Sequence, residues 1–373
     1  MTLSDLSLDL ATLRARYARR ALRPGEVVAE VYRRIAARGD DHVWTCLVPR
    51  EAALARAREL EARGPDGLAL YGAPFSVKDN IHVAGLPTTA GCPAFSHLPA
   101  ETATAVRRAL EVGAILVGKN NMDQFATGLV GVRCAEGHCR NPFDERYIPG
   151  GSSSGSAVAV AVGEVAFSFG SDTGGSGRVP AALNNIVGLK ATLGAISASG
   201  LVYCNRSFDC VPVFALTCDD AWDVFRAIRG HDPDDPYSRD DLTWSESQAA
   251  PERFRFGIPP AAELTFFGDA AAEAQFGHAL AALHAIGGEA VEIDYAPFRE
   301  ATQTVFGGPL LAERLVDYGR LVAEHPGSVH PVVRQIIDGA RDYSAEHAFR
   351  EIYRVQALKQ RARAALAEVD LLV

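Results

Sequence analysis

Two turns rich in glycine and serine, Gly150–Ser156 and Gly170–Gly177, flank an apolar segment, Ala157–Phe169. Glycine admits backbone conformations that a side chain forbids, so several amide N–H groups can converge on one point. A serine placed at such a point faces fixed hydrogen-bond donors. Acyl transfer needs that arrangement, because the oxyanion that develops on a carbonyl is then stabilised without reorganisation. Other readings fail on the residues themselves. A flexible glycine–serine linker does not alternate with apolar runs of this density. A phosphate-binding loop requires GxxxxGK[ST], and neither turn contains a lysine. Gly151–Gly155 does match GxSxG around Ser153, but the nucleophile elbow needs a buried strand just before it. The preceding NPFDERYIPG is polar and carries two prolines.

The elements that must position these turns are read from periodicity. Leu10, Leu13 and Tyr17, then Val27, Val28, Val31, Tyr32 and Ile35, recur at helical spacing within residues 8–63, and Pro24-Gly25 splits them into two helices. Residues 1–66 are expected to form a helical cap on a core of residues 67–373, all within one domain. Pro74–Val77 reads as a short strand delivering Lys78, Thr102–Glu111 as an amphipathic helix, and Ala114–Val117 as a buried strand. That alternation places the chain in the α/β class, with helices on both faces of a sheet. Asn121–Thr127 is expected to start a further helix. Val165–Phe169 and Val211–Leu216 read as strands, and the acidic stretch 231–252 as a surface excursion. Phe254–Ile258 and Glu289–Ile293 are expected strands around a helix over Ala271–Ile286, and 309–365 reads as mainly helical. Glu368–Val373 looks like one more buried strand.

Composition narrows the function classes. A net charge of −9 argues against binding nucleic acid or an anionic membrane, both of which reward basic patches. The N-terminus has no cationic start followed by an apolar run, so no secretion signal is expected. The longest apolar run begins at Ala157, is broken by Glu164, and is too short to cross a bilayer. The seven cysteines are scattered without a CxxC pair. Cys134 and Cys139 flank His138 but lack the usual zinc-site spacing, so no metal site is expected. Free thiols in a reducing cytoplasm account for this usage.

GGSSSGSAVAVAVG, then GSDTGGSGRVPA, then VGLK, in that order over some forty positions, resembles the amidase signature family of serine hydrolases. The resemblance implies the amidase-signature fold, with a central mixed, twisted sheet flanked by helices on both faces. It implies no cofactor, and a small-molecule substrate as partner. VKDN around Lys78 is similar to the family's catalytic-lysine motif. By resemblance, Ser176 is the nucleophile and Ser152 the serine that bridges it to Lys78, following a cis peptide bond. The amides of Thr173, Gly174, Gly175 and Ser176 would form the oxyanion hole, with Asp172 ordering that loop, assisted by Arg178. Ser153 and Ser154 are expected to bond the local backbone, and His82 to be a loop residue. A serine needs a base to attack at neutral pH. Lysine serves when burial and neighbouring dipoles lower its pKa from ~10.4 to ~7–8.

Further segments resemble the allophanate hydrolase branch of the family: MDQFATGLVG, RNPFDERYIPGG, SFDCVPVFALT and GGPLLAER. That branch removes ammonia from a carboxylated urea. A planar carboxylate suits a bidentate guanidinium, and Arg314 matches the family arginine that holds it. Phe306 stands where the family commonly has tyrosine, which removes a hydroxyl from the substrate site. Ala191 and Leu193 stand where the family has proline and arginine. A related ureide or small amide therefore stays open as substrate. Two other roles also stay open: a component of a glutamine-dependent amidotransferase, and a catalytically silent scaffold. Members of the family continue past a strand such as 368–373, so the chain reads as a short form whose sheet lacks a neighbour. The N-terminal helices leave a homodimer open.

Overall fold

The computed structural model describes residues 3–135, 137–244 and 251–373. Its contacts divide the chain into two compact units, Met1–Leu242 with Glu313–Arg341, and Thr243–Ala312 with Asp342–Val373.

The first unit is built on six strands: β1 (Trp44–Leu47), β2 (Pro74–Lys78), β3 (Ile115–Asn120), β4 (Phe167–Phe169), β5 (Val187–Leu189) and β6 (Val213–Ala215). They form one mixed sheet in the order β1-β3-β2-β4-β6-β5. β2 runs parallel to β3 and to β4, whereas β1, β5 and β6 pair antiparallel with their neighbours. Parallel neighbours need a crossover connection, and the helix Thr104–Glu111 lies on the one between β2 and β3. β2 and β3 are buried along their whole length, so both of their faces are covered. The helices Pro24–Arg38 and Arg50–Arg63 pack on β2 and β3, respectively. Ser154–Ala161 packs on β2, β3, β4 and β6. That helix is apolar all round (SGSAVAVA) and buried, as an interior helix must be. Phe75 of β2 stacks on Phe167 of β4 at 5.1 Å between ring centroids, and both touch Phe169.

Two expectations differ from what is observed, and a third gains a detail. Residues 8–63 are not wholly helical, because β1 lies among them and pairs with β3; its burial alternates, a half-buried strand hidden within a helical pattern. Asn121–Thr127 forms only a single turn of 3-10 helix, with Phe125 and Ala126 both at φ 52. The polar stretch 231–252, whose residues 245–250 lie outside the described ones, runs over the surface as expected but is anchored by two side chains. Asp232 and Asp235 are buried and accept from Ser197 Oγ (2.5 Å) and the Ala198 amide (2.8 Å).

The second unit carries a separate three-stranded sheet of β7 (Phe254–Ile258), β8 (Gly288–Glu292) and β9 (Leu371–Leu372), all parallel, with β7 in the centre. Helix Ala270–Ala285 packs on β8, and helix Ala296–Gly307 packs along Ala345–Leu366. Between those last two helices, Thr304 donates to the buried Glu351 at 2.6 Å.

Candidate active site

Lys78 is the last residue of β2, and the second glycine-serine turn begins right after β4. Because β2 and β4 are parallel, with Val77 opposite Phe169, both reach the same edge of the sheet together. Helix Ser154–Ala161 packs on these two strands and presents the first turn at its own N-terminus. The Gly151–Ser152 peptide is cis. The Gly151 amide donates to Leu129 O at 2.9 Å, and Ser152 O accepts from the Asp123 amide at 3.1 Å. Gly151 also passes so close to its surroundings that a Cβ there would lie 2.2 Å from Asp123 Oδ2.

The Lys78 amine is fully buried. It lies 2.7 Å from Ser152 Oγ, 2.9 Å from Ser171 Oγ and 3.4 Å from Ser171 O. Asn80 Nδ2 donates to the same Ser171 hydroxyl at 3.0 Å. Burial pushes the Lys78 pKa down to about 8, against the pull of Cys204, Asp209, Asp123 and Asp172. A buried lysine in this state is a base within reach of neutrality.

Asp172 receives the Gly175 amide (2.8 Å), the Gly177 amide (2.9 Å), both Nε and Nη2 of Arg178 (3.0 Å each) and Lys190 Nζ (3.0 Å). Burial opposes its charge, but the bonds and charges of Arg178 and Lys190 hold the carboxyl well below the usual range. Asp172 thus orders the turn, with Arg178. The same contact corrects one member of the expected oxyanion hole. The Gly175 amide is already committed to Asp172 at 2.8 Å. For the amides of Thr173, Gly174 and Ser176 there is no acceptor among the described residues, which leaves these three available.

Ser176 is buried to 3% exposure. The structure joins Lys78 to Ser152 but not Ser152 to Ser176, whose hydroxyl makes no hydrogen bond among the described residues. Ser153 Oγ donates to Ser171 O at 3.2 Å and Ser154 Oγ reaches Asn121 O at 3.5 Å; both acceptors are backbone carbonyls distant in sequence, not the local backbone that was expected. His82 faces His97, Nε2 to Nε2, at 3.2 Å.

Arg314 opens the helix Arg314–Glu324 and is 4% exposed, so it is no solvated helix charge. One turn on, Tyr318 stacks on Phe125 at 4.2 Å, and its hydroxyl donates to Tyr203 O. That stacking brings Arg314 against Thr127 and Asn205: Nη1 donates to Thr127 Oγ1 at 3.3 Å and Nε to Asn205 Oδ1 at 3.1 Å. Among the described residues no carboxylate lies within ion-pair distance of this guanidinium. Arg314 and Lys78 share a neighbourhood: the buried Cys204 thiol, pushed up by burial, is drawn back by both charges and by Thr173. Phe306 is placed on helix Ala296–Gly307 of the second unit and is 43% exposed.

Residues 26–373 match the profile of the family described as Amidase. The chain belongs to the Amidase family. Among its members it is similar to urea amidolyase of Saccharomyces cerevisiae, 40% identical over 336 residues, which are 89% of this chain and 18% of the yeast protein. It is also similar to a glutamyl-tRNA(Gln) amidotransferase chain from Chlorobaculum parvum, 41% identical over 257 residues, 67% of this chain and 53% of that one. Its fold superposes on the allophanate hydrolase of Kluyveromyces lactis with a TM-score of 0.91 at 35% identity, over 100% of this chain and 61% of that one.

For an Amidase-family site, the sequence reading omitted Ser171, Asn80, Thr127, Asn205 and Asp209. Asn80 stands inside VKDN and Ser171 inside GSDTGGSGR, so their neighbourhoods were legible. Thr127 and Asp209 also stand inside quoted segments, MDQFATGLVG and SFDCVPVFALT, but no spacing rule links those two and Asn205 to one site. Asp209 is 1% exposed, and burial pushes its carboxyl up to about 6 despite the donors around it.

Proposed function

We propose that this protein is an amidohydrolase that cleaves allophanate, a carboxylated urea, to N-carboxycarbamate and ammonia. The observation that carries the substrate class is Arg314, a buried guanidinium with two neutral partners and no carboxylate beside it among the described residues. A buried cation is costly unless paired, and a planar carboxylate completes a guanidinium by two parallel hydrogen bonds. The likeness to urea amidolyase and to allophanate hydrolase supports the same reading.

The chemistry follows from the relay. Neutral Lys78 accepts the Ser152 proton, Ser152 takes the Ser176 proton, and Ser176 Oγ attacks the amide carbon. The amides of Thr173, Gly174 and Ser176 receive the oxyanion. As the C–N bond breaks, the proton returns through Ser152 to the departing ammonia, leaving an acyl-enzyme on Ser176. Water, deprotonated by the same relay, releases the second product. The Ser152–Ser176 bond forms when substrate is seated, since catalytic hydrogen bonds commonly tighten only in the complex. We place this activity in the cytoplasm, a reading supported by seven free cysteines. Among the described residues, no helix is long and apolar enough to cross a membrane.

The test is ammonia release by the purified chain from allophanate, biuret, urea, malonamate and simple amides, beside Lys78→Ala. Allophanate is expected to be turned over fastest and the variant to be slowed at least about 10²-fold. No release from any of them, or equal release by the variant, refutes the reading.

A further inference from the structure

We infer that Asp209 is a positioning residue that ties the oxyanion turn to the segment seating Arg314, so that gripping the substrate carboxylate and stabilising the oxyanion are coupled. This rests on the reading of Thr173, Gly174 and Ser176 as oxyanion donors and of Arg314 as the carboxylate anchor.

Three donors from two loops converge on the Asp209 carboxylate. The Thr173 hydroxyl and the Asn205 amide (3.4 Å) donate to Oδ1, and the Cys204 amide donates to Oδ2 at 2.6 Å. Asn205 then accepts from Arg314 Nε through its side-chain oxygen at 3.1 Å. Glu313, the residue before Arg314, holds the outer side of the same loop by accepting from the amide (2.9 Å) and hydroxyl (3.1 Å) of Ser207. Residues 204–209 are thus gripped from inside by Asp209 and from outside by the neighbour of Arg314.

Thr173 is held on each side of its backbone. Lys190 donates to its carbonyl at 3.1 Å, and its side chain is held by Asp209. The Asp172 carboxylate, which orders the remainder of the turn, makes no direct hydrogen bond to the Thr173 side chain among the described residues. The peptide plane that carries the Thr173 amide is pinned at the Asp172 carbonyl, which accepts from the amide of Cys210, the residue after Asp209, at 3.1 Å, so the direction of the Thr173 amide depends on the Asp209–Cys210 segment. A carboxylate is the group required there, because it accepts at both oxygens. An amide in its place would turn an NH2 toward one of the three donors and leave that donor buried and unpaired.

The experiment compares Thr173→Val, Thr173→Ser and Asp209→Asn with wild type in the full chain. One readout is the rate at which a fluorophosphonate labels Ser176, which needs the oxyanion donors but no carboxylate. The other is kcat and KM for allophanate and for a neutral amide. Thr173→Val is expected to slow labelling about tenfold with the KM for allophanate unchanged, and Thr173→Ser to restore it to within about threefold. Asp209→Asn is expected to slow labelling similarly and also to raise the KM for allophanate, with the KM for the neutral amide unmoved. Labelling at the wild-type rate in Thr173→Val overturns the inference. So does failure of Thr173→Ser to restore it, or a KM change in Asp209→Asn that is equal for both substrates. Should Asp209→Asn not fold, the Thr173 pair decides by itself. Should wild type label but leave allophanate intact, the proposed substrate fails while the labelling comparison still decides the role of Asp209.

Discussion

The amine of Lys78 sits 2.7 Å from the hydroxyl of Ser152, with Ser171 supplying its two remaining acceptors. An ammonium fills all three with N–H donors. A neutral amine fills two and aims its lone pair at the third. The Ser171 carbonyl cannot donate, so the lone pair takes its proton from a hydroxyl, and Ser152 is the nearer one at 2.7 Å against 2.9 Å.

The pH dependence of catalysis follows. Burial disfavours the charged amine and lowers the Lys78 pKa to about 8. The base is the neutral form, so activity is lost as pH falls below that value. The expected kcat/KM rises about tenfold per pH unit up to about 8 and then levels. Lys78→Ala is expected to lower kcat by about 10²–10⁴-fold. A pH–rate series with wild type checks the first statement, and a plateau that persists well into acid would contradict it.

Arg314→Ala should discriminate between substrates. Loss of a charge-assisted hydrogen bond is worth about 1.5–3 kcal/mol, so kcat/KM for a carboxylated substrate is expected to fall about 10–100-fold. A neutral amide has nothing to lose there, and its kcat/KM should stay near wild type. Steady-state kinetics on both substrates measure the difference.

Asp172 links the turn to acid stability. Burial alone would raise its pKa, but Arg178 and Lys190 depress it below the ordinary value of 3.8. A depressed carboxyl contributes stability that is fully present above the ordinary value and is lost as pH falls through the folded value. Asp172→Asn leaves two partly exposed cations without their buried partner and is expected to cost about 1.5–3 kcal/mol at neutral pH. The gap between variant and wild type should narrow below about pH 4. Denaturant midpoints at the two pH values give the answer.

Gly151→Ala tests the seat of Ser152. The added Cβ would meet Asp123 Oδ2 at 2.2 Å and the Gly131 amide nitrogen at 2.5 Å. Asp123 holds that amide at 3.0 Å and Ser152 O at 3.1 Å through its own N–H, so the turn must move. Misplacing a reacting group by about 1 Å costs about 10²-fold. The expected result is a loss of kcat of that order with the far-ultraviolet circular dichroism unchanged.

Sequence alone determined the strand that delivers Lys78, the two glycine-serine turns and the alternation of strands and helices. Those signals are local: a short apolar run, or glycines bunched within a single turn, survives in any window read along the chain. The same locality explains the failures. β1 was hidden by helices on either side, and Asn121–Thr127 has a helical composition that the left-handed backbone at Phe125 and Ala126 overrides. The commitment of the Gly175 amide to Asp172 was invisible for a related reason, since a row of amides in sequence does not say which way each one points.

Only the tertiary structure decided which groups meet. Parallel pairing of β2 with β4 brings Lys78 and the second turn to one edge of the sheet, although some ninety residues separate them. The Tyr318–Phe125 stack, between residues nearly two hundred positions apart, sets Arg314 against Thr127. Asp209 became recognisable only when donors from two loops were seen to converge on it. Pairing register and core packing are properties of the folded chain, and a hydrogen bond depends on distances that sequence separation does not encode.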